Sequence, residues 1–229
     1  MEFFFLLLAL VGLGGGIYLL TQLAANGSAR GQLRDEGTPN RLPDGSGLDA
    51  EALRIENVMA GGVIHLTGVG ETLEEFDLQV TARHRYSQGG YHWMELECDR
   101  GDRTFWLTVE QDDGLCLSLG LETLRLEDLN LTKDALARMD EEETGRVEYN
   151  GQTFFLEDSD RAVFYRSGET SRPEPFYYWD FATRDERQFI SVERWEDGGV
   201  DVTWGVALRP SQLTVYRLRE EETAPLGAG

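Results

Sequence analysis

The strongest constraint on the fold is a run of alternating residues at positions 76–86, FDLQVTARHRY. Its odd positions, Asp77 to Arg85, are polar or charged, whereas its even positions are mostly apolar or aromatic. A period of two is typical of a half-buried β-strand, because successive side chains point to opposite faces of a sheet. We therefore expect a mainly β domain in which one face of this strand is formed by Phe76, Leu78, Val80, Ala82, His84 and Tyr86.

Glycine-containing turns indicate that the strands are antiparallel. Gly89-Gly90, Asp113-Gly114 and Asn150-Gly151 each separate two strand-like segments, and such dipeptides favour tight hairpins. Strands are also expected near residues 160–166, 175–182, 187–194, 200–208 and 212–218.

The two halves of this region resemble each other. The segment RTFWLTVE at 103–110 parallels RQFISVE at 187–193, and an acidic turn with a glycine follows each. We predict two repeated antiparallel β units, at about 55–130 and 144–219, packed into one soluble domain. One short helix between them is expected over 133–142, where Thr132 is a suitable N-cap residue.

The N-terminal segment predicts a transmembrane helix. Residues 3–20 read FFFLLLALVGLGGGIYLL without a charge, and a helix of about 20 residues crosses a bilayer core. We expect a transmembrane anchor at 1–25 that contacts the lipid bilayer through residues 3–23. A cleaved signal peptide is the alternative, but only Glu2 precedes the apolar run, which lacks the usual basic start. The Gly12–Gly16 spacing leaves helix pairing, and so a homo-oligomer, open.

Three arginines, Arg30, Arg34 and Arg41, follow the apolar segment, and no basic side chain precedes it. Because basic residues flanking a membrane helix stay on the inner side, we expect a single-pass membrane protein whose soluble domain is cytoplasmic.

The soluble part divides by composition into three segments. Residues 26–50 are rich in Gly, Ser, Asn, Asp and Pro, which is typical of a flexible linker. The duplicated β domain is expected over 51–219, and an acidic tail over 220–229.

The soluble part is strongly acidic. Only Glu2 of the 42 acids precedes residue 30, so 41 acids face 21 bases in residues 30–229 and the net charge is −20. Such a surface repels phosphate backbones, so nucleic-acid binding is not expected. It attracts cations, polyamines or basic protein partners.

The sequence gives no sign of a cofactor or metal. It contains neither the glycine-rich nucleotide-binding loops nor an HxH or HxxxH spacing among its three histidines. Two cysteines, Cys98 and Cys116, are too few for a disulfide framework or a zinc site, and we expect two buried thiols.

Acidic and aromatic side chains are the remaining candidates for a site. Glu110 and Glu193 occupy equivalent positions in the two repeats. They either form a carboxylate pair for acid/base chemistry, or each bonds to an arginine such as Arg103 or Arg194 or to a backbone amide of its own repeat. No catalytic residue is assigned. The candidate binding residues are Trp93, Glu110, Tyr177, Trp179, Glu193 and Trp195.

Several short motifs occur together in a fixed order: GGVI (61–64), WMEL (93–96), WLTVE (106–110), YNGQTFFL (149–156), YYWDF (177–181), VERW (192–195) and WGV (204–206). In these motifs the chain resembles a bacterial family known as domain of unknown function 4178, over about residues 55–218. The resemblance implies a domain without an assigned reaction. It also implies a genomic association with spermidine-synthase-like, small membrane and phage-shock-like proteins, and hence work in the envelope or in membrane stress. In a bacterium, the predicted anchor would lie in the inner membrane.

We therefore expect a non-enzymatic, membrane-tethered module whose acidic β domain binds a partner or ligand, in an envelope-stress or polyamine-linked system. The alternative is a hydrolase or transferase that uses Glu110 and Glu193 as paired carboxylates.

Overall fold

The computed structural model describes residues 53–70, 72–111 and 114–217. The described chain is mainly β with one short α-helix, as the sequence predicts. The helix, α1, is Lys133–Glu142. The strands are β1 Gly62–Val69, β2 Glu74–Gln88, β3 Tyr91–Asp99, β4 Thr104–Gln111, β5 Leu115–Leu124, β6 Arg146–Tyr149, β7 Gln152–Tyr165, β8 Pro173–Ala182, β9 Gln188–Trp195, β10 Val200–Leu208 and β11 Leu213–Arg217. Short 3₁₀ turns lie at Ile55–Asn57, Leu126–Leu129, Arg166–Gly168 and Pro210–Gln212.

The predicted anchor at 1–25, linker at 26–50 and tail at 220–229 lie outside the described residues. Across 53–217, with its short gaps, no helix has the length and apolar character needed to cross a membrane.

The eleven strands form one antiparallel sheet in the order β11-β1-β2-β3-β4-β5-β10-β9-β8-β7-β6. Strands β1–β5 therefore form one meander, β6–β10 form a second meander in reversed order, and the two join where β5 pairs with β10. Two packed copies of one unit would give this order. A duplication of the sequence itself stays a prediction.

Two long strands close the sheet into a ring. The first part of β2 pairs with β1, and the first part of β7 pairs with β6. The second parts pair with each other through Arg85–Tyr165, Tyr86–Phe164 and Ser87–Val163. This contact closes eight strands, β2 to β5 and β7 to β10, around an interior space.

The predicted local features are present at the turns and the helix start. Asn150 and Gly151 both have positive φ, as a type I′ hairpin turn requires. Strand β4 pairs with β5 from Gln111 and Leu115 onward, although turn residues 112–113 lie outside the described residues. The Thr132 hydroxyl accepts a hydrogen bond of 3.1 Å from the Ala135 amide, and so caps α1.

One expectation about β2 is wrong. A bulge between Val80 and Ala82 shifts the register against β3, and an extra residue reverses the face to which later side chains point. Residues Phe76 and Val80 therefore pack in one hydrophobic cluster, whereas Tyr86 packs in another. The six even-numbered residues from Phe76 to Tyr86 do not share one face.

The side of the β domain away from the interior space is covered differently in each half. In the first half, Leu96 and Leu107 belong to a cluster with residues of β1 and β11. In the second half, Ile190 and Val192 belong to a cluster with Leu136 of α1. With these faces covered, the opposite faces of the same strands are left to line the space between the halves.

Candidate functional site

A cavity of about 100 Å³ lies between the two meanders. This volume exceeds the roughly 15 Å³ that one water molecule needs, so the cavity has room for several waters or a small ligand. Its walls come mainly from β3, β4, β8 and β9. The lining residues are Gln88, Tyr91, Trp93, Glu95, Thr108, Glu110, Ser118, Glu157, Phe176, Tyr178, Asp180, Phe181, Ala182, Glu186, Phe189, Ser191 and Glu193.

Strand alternation explains why polar residues reach this cavity. On β9, Ile190 and Val192 face the cluster under α1, so Ser191 and Glu193 face the cavity. On β4, Leu107 and Val109 likewise face the first-half cluster. Their alternates on β4, Thr108 and Glu110, line the cavity.

The lining is acidic and aromatic. It contains six carboxyl residues and six aromatic residues, and among the residues that the structure describes no Lys, Arg or His lines it. Four of the acids, Glu95, Glu110, Asp180 and Glu193, come from the four wall strands. Glu157 and Glu186 add a second acidic region where β8 leads into β9, and Glu157 is exposed.

Neutral hydroxyls donate hydrogen bonds to several of these carboxyls. The Tyr91 hydroxyl donates to Glu110 Oε1, and the Thr108 hydroxyl donates to Glu95 Oε1 at 3.0 Å. The Ser191 side chain, directly across from Asp180 on β9, hydrogen bonds with it. Hydroxyls hold the carboxyls in place but add no positive charge.

Burial and mutual repulsion raise the pKa values of the enclosed acids. Burial, opposed in part by the Ser191 hydrogen bond, raises the pKa of Asp180 to about 7. Burial also raises the pKa of Glu95. The pKa of Glu193 is raised well above its usual range, first by burial and then by the charges of Glu95 and Asp180. Carboxyls of this kind are common at functional sites.

Stacked aromatic rings form one end of the space between the halves. Tyr86 stacks on Trp93 with 5.3 Å between ring centroids, and it meets Phe176 edge to face. The Tyr178 hydroxyl donates to Asp158 Oδ2 at 2.5 Å. Rigid aromatic faces beside carboxyls are the combination that recognises organic cations.

The six predicted binding residues separate into two groups. Trp93, Glu110 and Glu193 line the cavity, and Trp195 packs against the aromatic cluster beside it. Tyr177 and Trp179 do not reach the cavity, because they lie on the other face of β8 in the cluster under α1.

The arginines that were the alternative partners of the two glutamates are engaged elsewhere. Arg103 donates to the Leu121 carbonyl oxygen at 3.0 Å and lies over Phe105. Arg194 lies over the ring of Tyr177 at 4.7 Å, on the outer face of β8. Neither arginine lines the cavity.

Sequence reasoning missed Glu95 and Asp180. Each lies directly opposite a hydroxyl residue on the neighbouring strand: Glu95 opposite Thr108, and Asp180 opposite Ser191. One sequence feature could have identified them, because each acid lies within a strand-like segment rich in aromatic residues. Glu95 is in YHWMELEC, and Asp180 is in PFYYWDFA. In the part of the chain that the structure describes, no group of three His, Cys, Asp or Glu residues is arranged to hold a metal ion.

Comparisons with known proteins find relatives but no function. A family model described as "Domain of unknown function (DUF4178)" matches residues 71–210. The chain is 29% identical over 147 residues to "Uncharacterized protein Rv2597" of Mycobacterium tuberculosis (strain H37Rv) and to "Uncharacterized protein Mb2628" of Mycobacterium bovis. These matches cover 61% of this chain and 66% of each relative, just under two thirds of the relatives' own length. No solved structure matches the chain.

Proposed function

Because the chain belongs to the family of domain of unknown function 4178, whose description assigns no reaction, we propose its function from the cavity. The β domain is a non-enzymatic binding module that holds a small organic cation between its two meanders. The observation that carries this proposal is an aromatic-lined cavity with six carboxyl side chains and, among the described residues, no basic one.

The physical reason is the cost of enclosing unpaired carboxylates. An ionised carboxylate removed from water is strongly unfavourable unless a positive charge compensates it. The described lining supplies no such charge, so an ammonium group entering the cavity would stabilise Glu95, Asp180 and Glu193 together. Its alkyl or methyl groups would contact the faces of Trp93 and Tyr178, which favour cations.

Spermidine is the first cation to test, since a polyamine is a partner that both the acidic charge and the family resemblance suggest. The full-length chain, purified in detergent, is titrated with spermidine by isothermal calorimetry. Replacing Glu95 with Gln removes one charge-assisted contact worth about 1.5–3 kcal/mol, so the affinity should fall at least about tenfold.

The matched control is Glu141→Gln, which removes the same charge from the exposed surface of α1. It should leave the affinity unchanged. If spermidine fails to bind, or if both variants weaken it equally, the acidic cavity is not a cation site.

We further propose that residues 3–23 tether this module to the inner membrane with the β domain on the cytoplasmic side. The apolar run and the arginines after it support this arrangement. Membrane fractionation followed by protease treatment of intact spheroplasts tests it. The β domain should be protected from the protease until the spheroplasts are lysed. Digestion of the β domain in intact spheroplasts would show that it lies on the outer side of the membrane.

A hydrolase or transferase is the competing function, and one observation favours it. Glu110 and Glu193 line the same cavity, and the raised pKa of Glu193 would keep it protonated as a general acid. Turnover of an aryl glycoside or aryl ester that Glu193→Gln abolishes would establish this function. Turnover that survives the substitution would exclude Glu193 as the acid.

A further inference from the structure

Glu193 is enclosed without a compensating partner. Its side chain is half-buried, and it lines the cavity. Within the part of the chain that the structure describes, its carboxyl makes no hydrogen bond or ion pair. A carboxyl that is partly withdrawn from water without a positive charge beside it is stabilised by a bound proton or by a cationic ligand.

The charged groups around Glu193 come from several strands and are all acidic. Glu95 on β3, Asp180 on β8 and Asp201 on β10 each repel its negative charge. On β2 the neighbouring titratable group is Tyr86, whose hydroxyl is itself in the field of Glu95 and Glu193. The cross-strand neighbour on β8 is Tyr178.

We infer that protons and an organic cation compete for this cavity: the empty site holds protons on the carboxyls of Glu95, Asp180 and Glu193, and an entering cation displaces them to the solvent. This inference rests on the proposed function and adds that the pH regulates cation binding. Each exchange is balanced, because a carboxyl loses one proton to water and the ammonium group takes its place beside the carboxylate.

The closeness of these carboxyls in one cavity is the reason that protons must leave when a cation binds. Carboxyls that share one enclosed space cannot all ionise, so they retain protons and titrate as a coupled group. Burial raises the pKa of all three carboxyls, with that of Asp180 at about 7. An ammonium group reverses this, because an opposite charge nearby favours the ionised form. Cation binding therefore strengthens as the pH rises toward neutrality and weakens in acid.

Calorimetry in buffers of different ionisation enthalpy measures the protons released on binding. The full-length chain in detergent is titrated with spermidine at about pH 6.5, where alkylammonium groups of pKa near 10 remain protonated. One to two protons should be released per cation, and affinity should rise up to about tenfold per pH unit for each proton.

Glu193→Gln should lower the number of released protons by about one while spermidine still binds. Glu141→Gln on the surface of α1 is the control and should not change that number. Asp180→Asn provides a second variant that should also lower it, should Glu193→Gln fail to fold. Spermidine binding without proton release refutes the exchange and leaves the proposed function standing. The absence of binding between about pH 5.5 and 8 refutes both.

Discussion

Asp180 should make the folded state less stable as the pH rises. Its carboxyl faces the cavity, and its pKa rises from an ordinary 3.8 to about 7 in the folded chain. Below about pH 4 both folded and unfolded chains hold the proton, so the group has no effect. Between about pH 4 and 7 the unfolded chain releases the proton while the folded chain keeps it, so stability falls with rising pH. Above about pH 7 the loss is complete.

The magnitude follows from the two pKa values. At about 1.36 kcal/mol per pH unit, a rise from 3.8 to about 7 costs the folded state about 4 kcal/mol at pH 8. At pH 5.5, above the isoelectric point of about 4.4, the loss is about 2 kcal/mol. Asp180→Asn removes this titration and keeps an oxygen that accepts from Ser191. The stabilisation by Asp180→Asn should therefore grow by about 2 kcal/mol between pH 5.5 and 8.

Urea unfolding of the full-length chain in mild detergent, followed by the fluorescence of its five tryptophans, measures this difference. Asp102→Asn in the exposed β3–β4 turn removes the same charge and is the control. A stabilisation by Asp180→Asn of equal size at both pH values, or one matched by Asp102→Asn, would show that the buried titration is not its cause.

Three further substitutions test the packing by thermal unfolding. Gly205→Ala would place its Cβ 2.3 Å from the Leu119 carbonyl oxygen and should cost about 1–3 kcal/mol or more. Gly90→Ala, with nothing within 4 Å of its Cβ, should cost much less, and equal effects would refute the close contact. Leu136→Ala should cost about 2–5 kcal/mol because Leu136 fills the cluster under α1, and a loss below about 1 kcal/mol would mean that α1 contributes little to the domain. Thr132→Ala should cost about 1 kcal/mol through loss of the helix cap, whereas Thr132→Ser should retain most of that stability.

Much of the local structure could be predicted because its causes lie within a few residues. Alternation at 76–86 predicts a strand, and the Asn150-Gly151 turn predicts a hairpin because both residues adopt positive φ. Thr132 begins the helix because its own side chain satisfies a nearby amide. Glu110 and Glu193, which lie in the two similar segments, line one cavity, whereas the repeat that those segments suggest stays a prediction.

Other features could not be predicted from local patterns. The bulge after Val80 sends His84 and Tyr86 to a different face from Phe76, although the sequence continues its alternation without interruption. Tyr177 and Trp179 were candidate binding residues, yet α1 covers their face of β8. The cover comes from a segment about 40 residues earlier in the chain, and no periodicity in β8 reveals it.

The sequence by itself determined the acidic charge, the strands and turns, the helix and its cap, because each depends on composition or on neighbouring residues. The tertiary structure alone decided that Glu95, Asp180 and Glu193 share one cavity. Their meeting requires the pairing of β5 with β10 and the closure of β2 on β7, which join residues far apart in the chain. Such contacts depend on which faces the helix and outer strands bury. The pKa values of Glu95, Asp180 and Glu193 are raised because the two halves of the domain bury these acids close together.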